Sequence, residues 1–168
     1  MIHSMTVEPI RLFVTGGTFD KEYDDINGRL FFKDTHVPEM LRLGRCSVHT
    51  DIRTLMMIDS LEMTQVDRDL ILRSVQNAAE KKVVITHGTD TMSVTAQTLG
   101  PSIRGKTVVL TGAMIPYKFG SSDGLFNLGA AIAFAQTLPE GVFVAMNGRV
   151  FDWNNVMKDR ETGLFREI

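Results

Sequence analysis

Two short strings in this chain hold residue types able to do chemistry. Thr15-Gly16-Gly17-Thr18 and Thr86-His87-Gly88-Thr89-Asp90-Thr91 each place glycine directly before a threonine. Glycine lets the backbone turn sharply and approach a ligand closely, which leaves the next hydroxyl free to act. Thr89 and Asp90 stand where a helical pattern begins. Unpaired backbone N–H groups and the positive end of the helix dipole favour an anion or a developing oxyanion at such a place. Taken alone, the first string reads equally well as a turn or a phosphate loop, although it lacks the Gly-x-Gly-x-x-Gly spacing and a Walker lysine. The second is more specific. A helix cap accounts for one of its polar residues, but not for three threonines, an aspartate and a His-Gly pair together. His87 itself reads as a packed, hydrogen-bonded loop residue and is given no proton-transfer role.

Further polar strings follow later apolar runs: Thr111-Gly112-Ala113-Met114-Ile115-Pro116, then Ser121-Ser122-Asp123-Gly124, then Asn147-Gly148-Arg149-Val150-Phe151-Asp152, and finally Lys158. Asp123-Gly124 reads as a turn before a helix, and Asn127 as structural. Lys158, by itself, reads as a solvated surface lysine.

The elements that must position these residues alternate in type. Apolar, β-branched runs at 10–14, 51–58, 83–86, 107–110 and 142–146 predict five strands. Four are almost continuously apolar, as expected of parallel strands covered on both faces. The run at 51–58 is less clean, and Met56 and Met57 read as core filler. Helical stretches lie between the strands. One begins at Thr35 and Pro38 and closes at Gly44; one is capped by Thr64 and Asp67; one runs 91–99 and ends at Gly100-Pro101; one runs 127–138. This alternation predicts an α/β fold: a doubly wound, mainly parallel sheet in a three-layer arrangement of the flavodoxin or Rossmann kind, as a single domain over 1–168. Ligands of such sheets bind at the carboxyl ends of the strands, where strand order reverses.

Composition narrows the partners. Lys and Arg number 18 and Asp and Glu 20, a net charge of −2, which gives no electrostatic reason to expect nucleic acid or an anionic membrane. Cys46 is the only cysteine, so an intrachain disulfide, a Cys-rich zinc site and an iron–sulfur cluster are excluded; it reads as a small buried thiol, and no metal or organic cofactor is expected. The start, Met1-Ile2-His3-Ser4-Met5-Thr6-Val7-Glu8-Pro9, has neither the basic nor the apolar region of an export leader, so the cytoplasm is the expected compartment.

Taken together, the loops resemble those of the bacterial-type L-asparaginases, specifically their N-terminal domain. The resemblance rests on Thr15-Gly16-Gly17-Thr18, on Val84-Ile85-Thr86-His87-Gly88-Thr89-Asp90-Thr91, on Gly112-Ala113-Met114, and on Asp123-Gly124 with Phe126-Asn127-Leu128. It runs in order from the first strand to Lys158. It implies an amidohydrolase that converts the side-chain amide of L-asparagine to aspartate and ammonia through a threonine nucleophile, without a cofactor. By position, Thr18 matches the family's nucleophilic threonine, and Thr89, Asp90 and Lys158 its second threonine, aspartate and lysine. Ser60, in Ile58-Asp59-Ser60-Leu61, matches a serine that holds the substrate α-carboxylate. Gly17, Asp59 and Gly88 complete the expected substrate-binding set, and Asp90 is expected to bind the α-amino group. Either threonine could attack first.

The resemblance also implies a lid after the first threonine that carries an activating tyrosine. Here that segment is the acidic Phe19-Asp20-Lys21-Glu22-Tyr23-Asp24-Asp25, with Tyr23 as the nearby candidate. Longer members of the family have a C-terminal domain that completes a neighbour's pocket. This chain is read as having none, so another copy is expected to supply the missing wall in a homo-oligomer. Other readings stay open: a hydrolase of glutamine, a peptide or a modified asparagine; a non-catalytic amino-acid-binding module; or a flavodoxin-like nucleotide binder.

Overall fold

A computed structural model describes residues 7–168. The first six residues, read above for an export leader, lie outside the described residues. In chain order the elements are β1 (Ile10–Gly16), a 3-10 turn (Thr18–Asp20), β2 (Lys21–Asp24), β3 (Arg29–Phe32), α1 (Val37–Leu43), β4 (Thr50–Ile58), α2 (Gln65–Asn77), β5 (Lys82–Thr86), α3 (Met92–Leu99), β6 (Thr107–Thr111), α4 (Gly124–Thr137), β7 (Gly141–Met146), β8 (Arg149–Asp152), β9 (Met157–Lys158) and β10 (Phe165–Arg166).

Six strands form one sheet in the order β4-β1-β5-β6-β7-β8. The first four neighbouring pairs are parallel and β7–β8 is antiparallel. Side chains alternate across the strands, so each face gets its own core. Phe13, Val83, Ile85, Val108, Leu110 and Val144 pack with Ile71 of α2 and Met92 and Leu99 of α3. Leu12, Val14, Val84, Val109 and Ala145 pack on the other face with Met40 of α1 and Leu128 and Ala131 of α4. Each Val, Leu, Ile, Phe or Met side chain among them, fully removed from water, contributes about 1.5–3 kcal/mol of transfer free energy. This is the expected three-layer α/β sheet. β4 is an edge strand with exposed and half-buried positions and none fully buried, which explains why its run is the least cleanly apolar.

The chain passes from β1 outward to β4 and then returns to β5 on the other side of β1. Strand order therefore reverses at the β1–β5 boundary, and the two threonine strings emerge there at the strands' carboxyl ends.

Several details differ from the sequence reading. The segment after Thr18, given no regular element above, is a 3-10 turn followed by a β2–β3 hairpin in which Glu22 and Tyr23 pair with Phe31 and Leu30. The string at 147–152 is not a loop; Asn147-Gly148 joins β7 to the antiparallel β8. That pair is a strong hairpin signal which the reading passed over. Helix α4 starts at Gly124, three residues early, since the Asp123 carboxylate turns back to accept the Met114 and Ile115 N–H groups instead of capping the helix. No helix among the described residues is long and apolar enough to cross a membrane.

Candidate active site

The crevice at the switch point is built by close backbone approach. Gly17 has φ 77°, and a Cβ there would run into the Gly88 backbone. A Cβ on Gly88 would lie 2.5 Å from both the Cβ and the Oγ of Ser60. Thus the loops after β1, β4 and β5 touch at Gly17, Ser60 and Gly88, and the two glycines stand one residue before Thr18 and Thr89. The Gly17 N–H donates to the Ile58 carbonyl at 2.9 Å, tying the first loop to the end of β4.

Lys158 arrives from far along the chain. It sits on β9, which pairs with β10, and Phe165 N–H of that ribbon donates to Asn147 Oδ1 at 2.9 Å. Asn147 is anchored in turn, its N–H donating to Asn127 Oδ1 and the Asn127 amide donating to the Gly112 carbonyl. So the β9–β10 ribbon rests on the turn after β7, which α4 ties in turn to the loop after β6. The result is a buried amine, with a side chain only 12% exposed. Lys158 Nζ donates to Thr89 Oγ1 at 2.8 Å and to Asp90 Oδ1 at 2.8 Å. The Thr89 hydroxyl also approaches Met114 Sδ at 3.5 Å. Lys158 is therefore not the solvated surface lysine that it reads as by itself. Thr18 is half-buried, in the 3-10 turn that follows Gly17.

Ser60 is buried, and its hydroxyl has no hydrogen-bond partner among the described residues, so it keeps an unspent donor and acceptor at the crevice. Asp59 is already engaged: Lys21 Nζ lies 2.5 Å from Oδ2, and Leu61 N–H donates to Oδ1. Burial raises the Asp59 pKa, but these bonds outweigh it and hold the carboxyl below its ordinary value. Sequence reasoning missed Lys21. Its position three residues after Thr18 was the available signal.

Tyr23 stands apart. It is 56% exposed on β2, packs edge-on against Phe119 at 6.5 Å, and makes no hydrogen bond to Thr18, Thr89 or Lys158. Asp20, also unassigned from sequence, is buried at the end of the turn. Its Oδ1 accepts from the His36 N–H and the Thr35 hydroxyl, while Oδ2 has no partner among the described residues. Burial pushes its pKa up to about 6, against those two bonds.

His87 is the packed loop residue expected. It is wholly buried, with Nδ1 2.7 Å from the Gly88 carbonyl and Nε2 2.7 Å from Thr95 Oγ1. Burial pulls its pKa down to about 4, although the Gly88 bond opposes this. Among the described residues no group of three or more His, Cys, Asp or Glu is placed to hold a metal ion. What the crevice offers is two hydroxyls, an amine hydrogen-bonded to one of them, a free serine and a carboxylate beside the amine.

Residues 9–164 match the family model for the asparaginase N-terminal domain. An L-asparaginase of Thermococcus kodakarensis is 35% identical over 155 residues, which is 89% of this chain and 47% of the relative. A glutaminase-asparaginase of Acinetobacter glutaminasificans is 31% identical over 160 residues, covering 88% of this chain and 48% of the relative. The crystal structure of L-asparaginase I from Vibrio cholerae superposes with a TM-score of 0.85 at 27% identity, covering 95% of this chain and 51% of that one. The chain thus spans about half the length of the curated relatives it matches. A family model that covers nearly the whole chain, and a fold shared with solved relatives, lead to one conclusion: this chain belongs to the asparaginase family, to which it is similar through that family's N-terminal domain.

Proposed function

We propose that this chain is an asparaginase-type amidohydrolase whose Thr18 attacks the side-chain amide of L-asparagine. The observation that carries this reading is the placement of Lys158 Nζ 2.8 Å from both Thr89 Oγ1 and Asp90 Oδ1. A threonine hydroxyl is a weak nucleophile until a base takes its proton. A lysine amine in its uncharged form can be that base. In its neutral form Lys158 accepts the Thr89 proton, and Thr89 in turn accepts the proton of Thr18.

Thr18 Oγ then bonds to the amide carbon, whose oxygen becomes an oxyanion beside the Thr89 N–H. Collapse breaks the C–N bond, and the relayed proton leaves with the nitrogen as ammonia. Water opens the Thr18 ester and releases aspartate. The free Ser60 hydroxyl binds the substrate α-carboxylate, and the exposed side of the Asp90 carboxylate binds the α-ammonium. Gly17 and Gly88 let the substrate lie against bare backbone. Tyr23, on an exposed hairpin, has no part in this scheme as the chain stands.

Glutamine is the second reading. It is favoured by the glutaminase-asparaginase relative. We further infer self-association, because exposed Leu61, Met114 and Ile115 border the crevice and suit a covering surface; light scattering that shows a strict monomer ends that idea.

The test is ammonia release across an amide panel (asparagine, glutamine, a short peptide amide) by wild type and Thr18→Ala. Turnover of asparagine with a loss of at least about 10³-fold in the variant supports the reading. Binding of aspartate without ammonia release from any amide leaves a binding module instead. Near-normal turnover in Thr18→Ala removes Thr18 as the nucleophile.

A further inference from the structure

The side of the crevice that carries Thr89 is backed by a buried arginine that meets no carboxylate among the described residues. Arg68 is 7% exposed. Its Nη1 donates to the Met63 carbonyl at 3.0 Å, its Nε to Thr95 Oγ1 at 3.2 Å and its Nη2 to Thr91 Oγ1 at 3.0 Å. A guanidinium can only donate. Each of the two threonine hydroxyls is therefore an acceptor toward Arg68, and each has its own proton left to give onward.

The receivers follow. The Thr91 hydroxyl donates to the Ser60 carbonyl at 2.8 Å. Thr95 Oγ1 faces His87 Nε2, and the other ring nitrogen faces the Gly88 carbonyl. A carbonyl only accepts, so His87 carries its proton on Nδ1. Nε2 is then the acceptor of the Thr95 proton. The direction of every bond is fixed in one sense: Arg68 to Thr95 to His87 to the Gly88 oxygen.

That last bond matters because a peptide unit is planar and trans, with C=O and N–H pointing opposite ways. Holding the Gly88 oxygen toward the buried ring turns the Thr89 N–H away from it, toward the crevice. No described acceptor takes that N–H. The same arginine, through Thr91, fixes the Ser60 carbonyl on the neighbouring loop.

We propose that Arg68, acting through Thr95 and His87, is a positioning residue that aims the Thr89 N–H into the crevice as the oxyanion donor. This rests on the amidohydrolase reading for its catalytic consequence, while the orientation of the peptide stands on its own. An oxyanion donor acts on the transition state more than on bound substrate. Losing its aim therefore lowers kcat and spares KM.

The experiment compares full-length wild type, Thr95→Val and Thr95→Ser. Valine matches threonine in shape but cannot hand a proton to His87; serine can. In Thr95→Val, kcat for asparagine is expected to fall about 10- to 100-fold with KM within about twofold, and Thr95→Ser is expected to stay within about threefold of wild type. In parallel, ¹H–¹⁵N spectra of uniformly labelled protein read the His87 Nδ1–H and the Thr89 amide. Both resonances are expected to move in Thr95→Val and to hold in Thr95→Ser. Arg68→Lys is the second variant if Thr95→Val does not fold. One ammonium cannot reproduce the fork that serves three acceptors, so the same kcat loss and shifts are expected. An unmoved Thr89 amide in the variants overturns the proposal. So does a kcat loss that merely tracks the folded fraction. Should wild type itself release no ammonia, the amidohydrolase reading falls, and the spectra alone decide whether Thr95 and Arg68 orient the peptide.

Discussion

The two walls of the crevice are held in different ways. The Thr89 wall stands on β5, a central strand with both faces covered, and is backed by buried His87, Thr95 and Arg68 in hydrogen bonds of fixed direction. The Thr18 wall leaves the sheet after Gly16. Its 3-10 turn leads into a hairpin whose tip residue Ile26 is 90% exposed. That wall joins the body through the Lys21–Asp59 pair, a His36–Glu22 approach at 3.3 Å and the buried Asp20 carboxylate. Ion pairs near solvent are worth about 0–1 kcal/mol, and burial holds the His36 pKa below its ordinary value, which weakens its approach to Glu22 as an ion pair. A satisfied buried network is stiffer, because breaking it strands polar groups away from water. The difference lies in what holds each wall: buried hydrogen bonds behind Thr89, and half-buried ion pairs with a hairpin reaching into solvent beside Thr18.

The comparison makes several predictions, taken from the largest effect down. Lys158→Met removes the amine from the Thr89 wall and is expected to cost about 10³-fold in kcat/KM for the preferred amide, about 4 kcal/mol. Steady-state ammonia release checks it, and a rate above a tenth of wild type breaks the assignment of Lys158 as base.

Gly17→Ala attacks the seam between the walls. A side chain at φ 77° is strained, and its Cβ meets the Gly88 backbone. A loss of about 10²-fold in kcat and a lower melting temperature are expected. If both stay at wild-type values, the walls do not meet as described.

Lys21→Met loosens only the Thr18 wall. Here KM is expected to rise about tenfold, roughly 1.4 kcal/mol, with kcat within about threefold. A collapse of kcat equal to that of Lys158→Met would show that both walls set the geometry.

The smallest effect is on stability. Asp20 has its folded pKa raised from 3.8 to about 6. Its stabilising contribution is fully present below the unfolded value and is lost as pH rises through about 6. His87 runs the opposite way, since its folded pKa is lowered from 6.5 to about 4. Its contribution is present above 6.5 and is lost as pH falls through about 4. The two oppose each other between pH 4 and 6. Asp20→Asn keeps the acceptor for His36 and Thr35 but removes the charge. It is expected to stabilise the protein at pH 7 by about 1–2 kcal/mol and to steepen the rise in stability from pH 4 to 6.5. Urea unfolding across that range decides it; an unchanged pH slope rejects the assigned role of the Asp20 carboxyl.

The central strands and four helices were legible because their signals are local. The runs at 83–86 and 107–110 are apolar on both faces, and Thr64 with Asp67 forms the capping box seen at α2. The hairpin at Lys21–Phe32 was not legible. Its strands are only four residues each and neither has a buried position; β2 is mostly charged and β3 mostly apolar, so no alternating period marks them. Lys21 and Asp20 escaped notice for a related reason: what they do depends on Asp59 and on the start of α1, neither of which is near them in the chain.

The amino-acid order by itself determined the alternating elements, the crevice at the strands' carboxyl ends and the residue types gathered there, because backbone periodicity and glycine stereochemistry act over a few residues. Only the tertiary structure decided that Lys158 is buried against Thr89 from a distance of 69 residues, that Tyr23 faces out, and that Arg68 stands behind the Thr89 loop. Burial and hydrogen-bond direction belong to whatever packs alongside a residue, and that is fixed when the layers close.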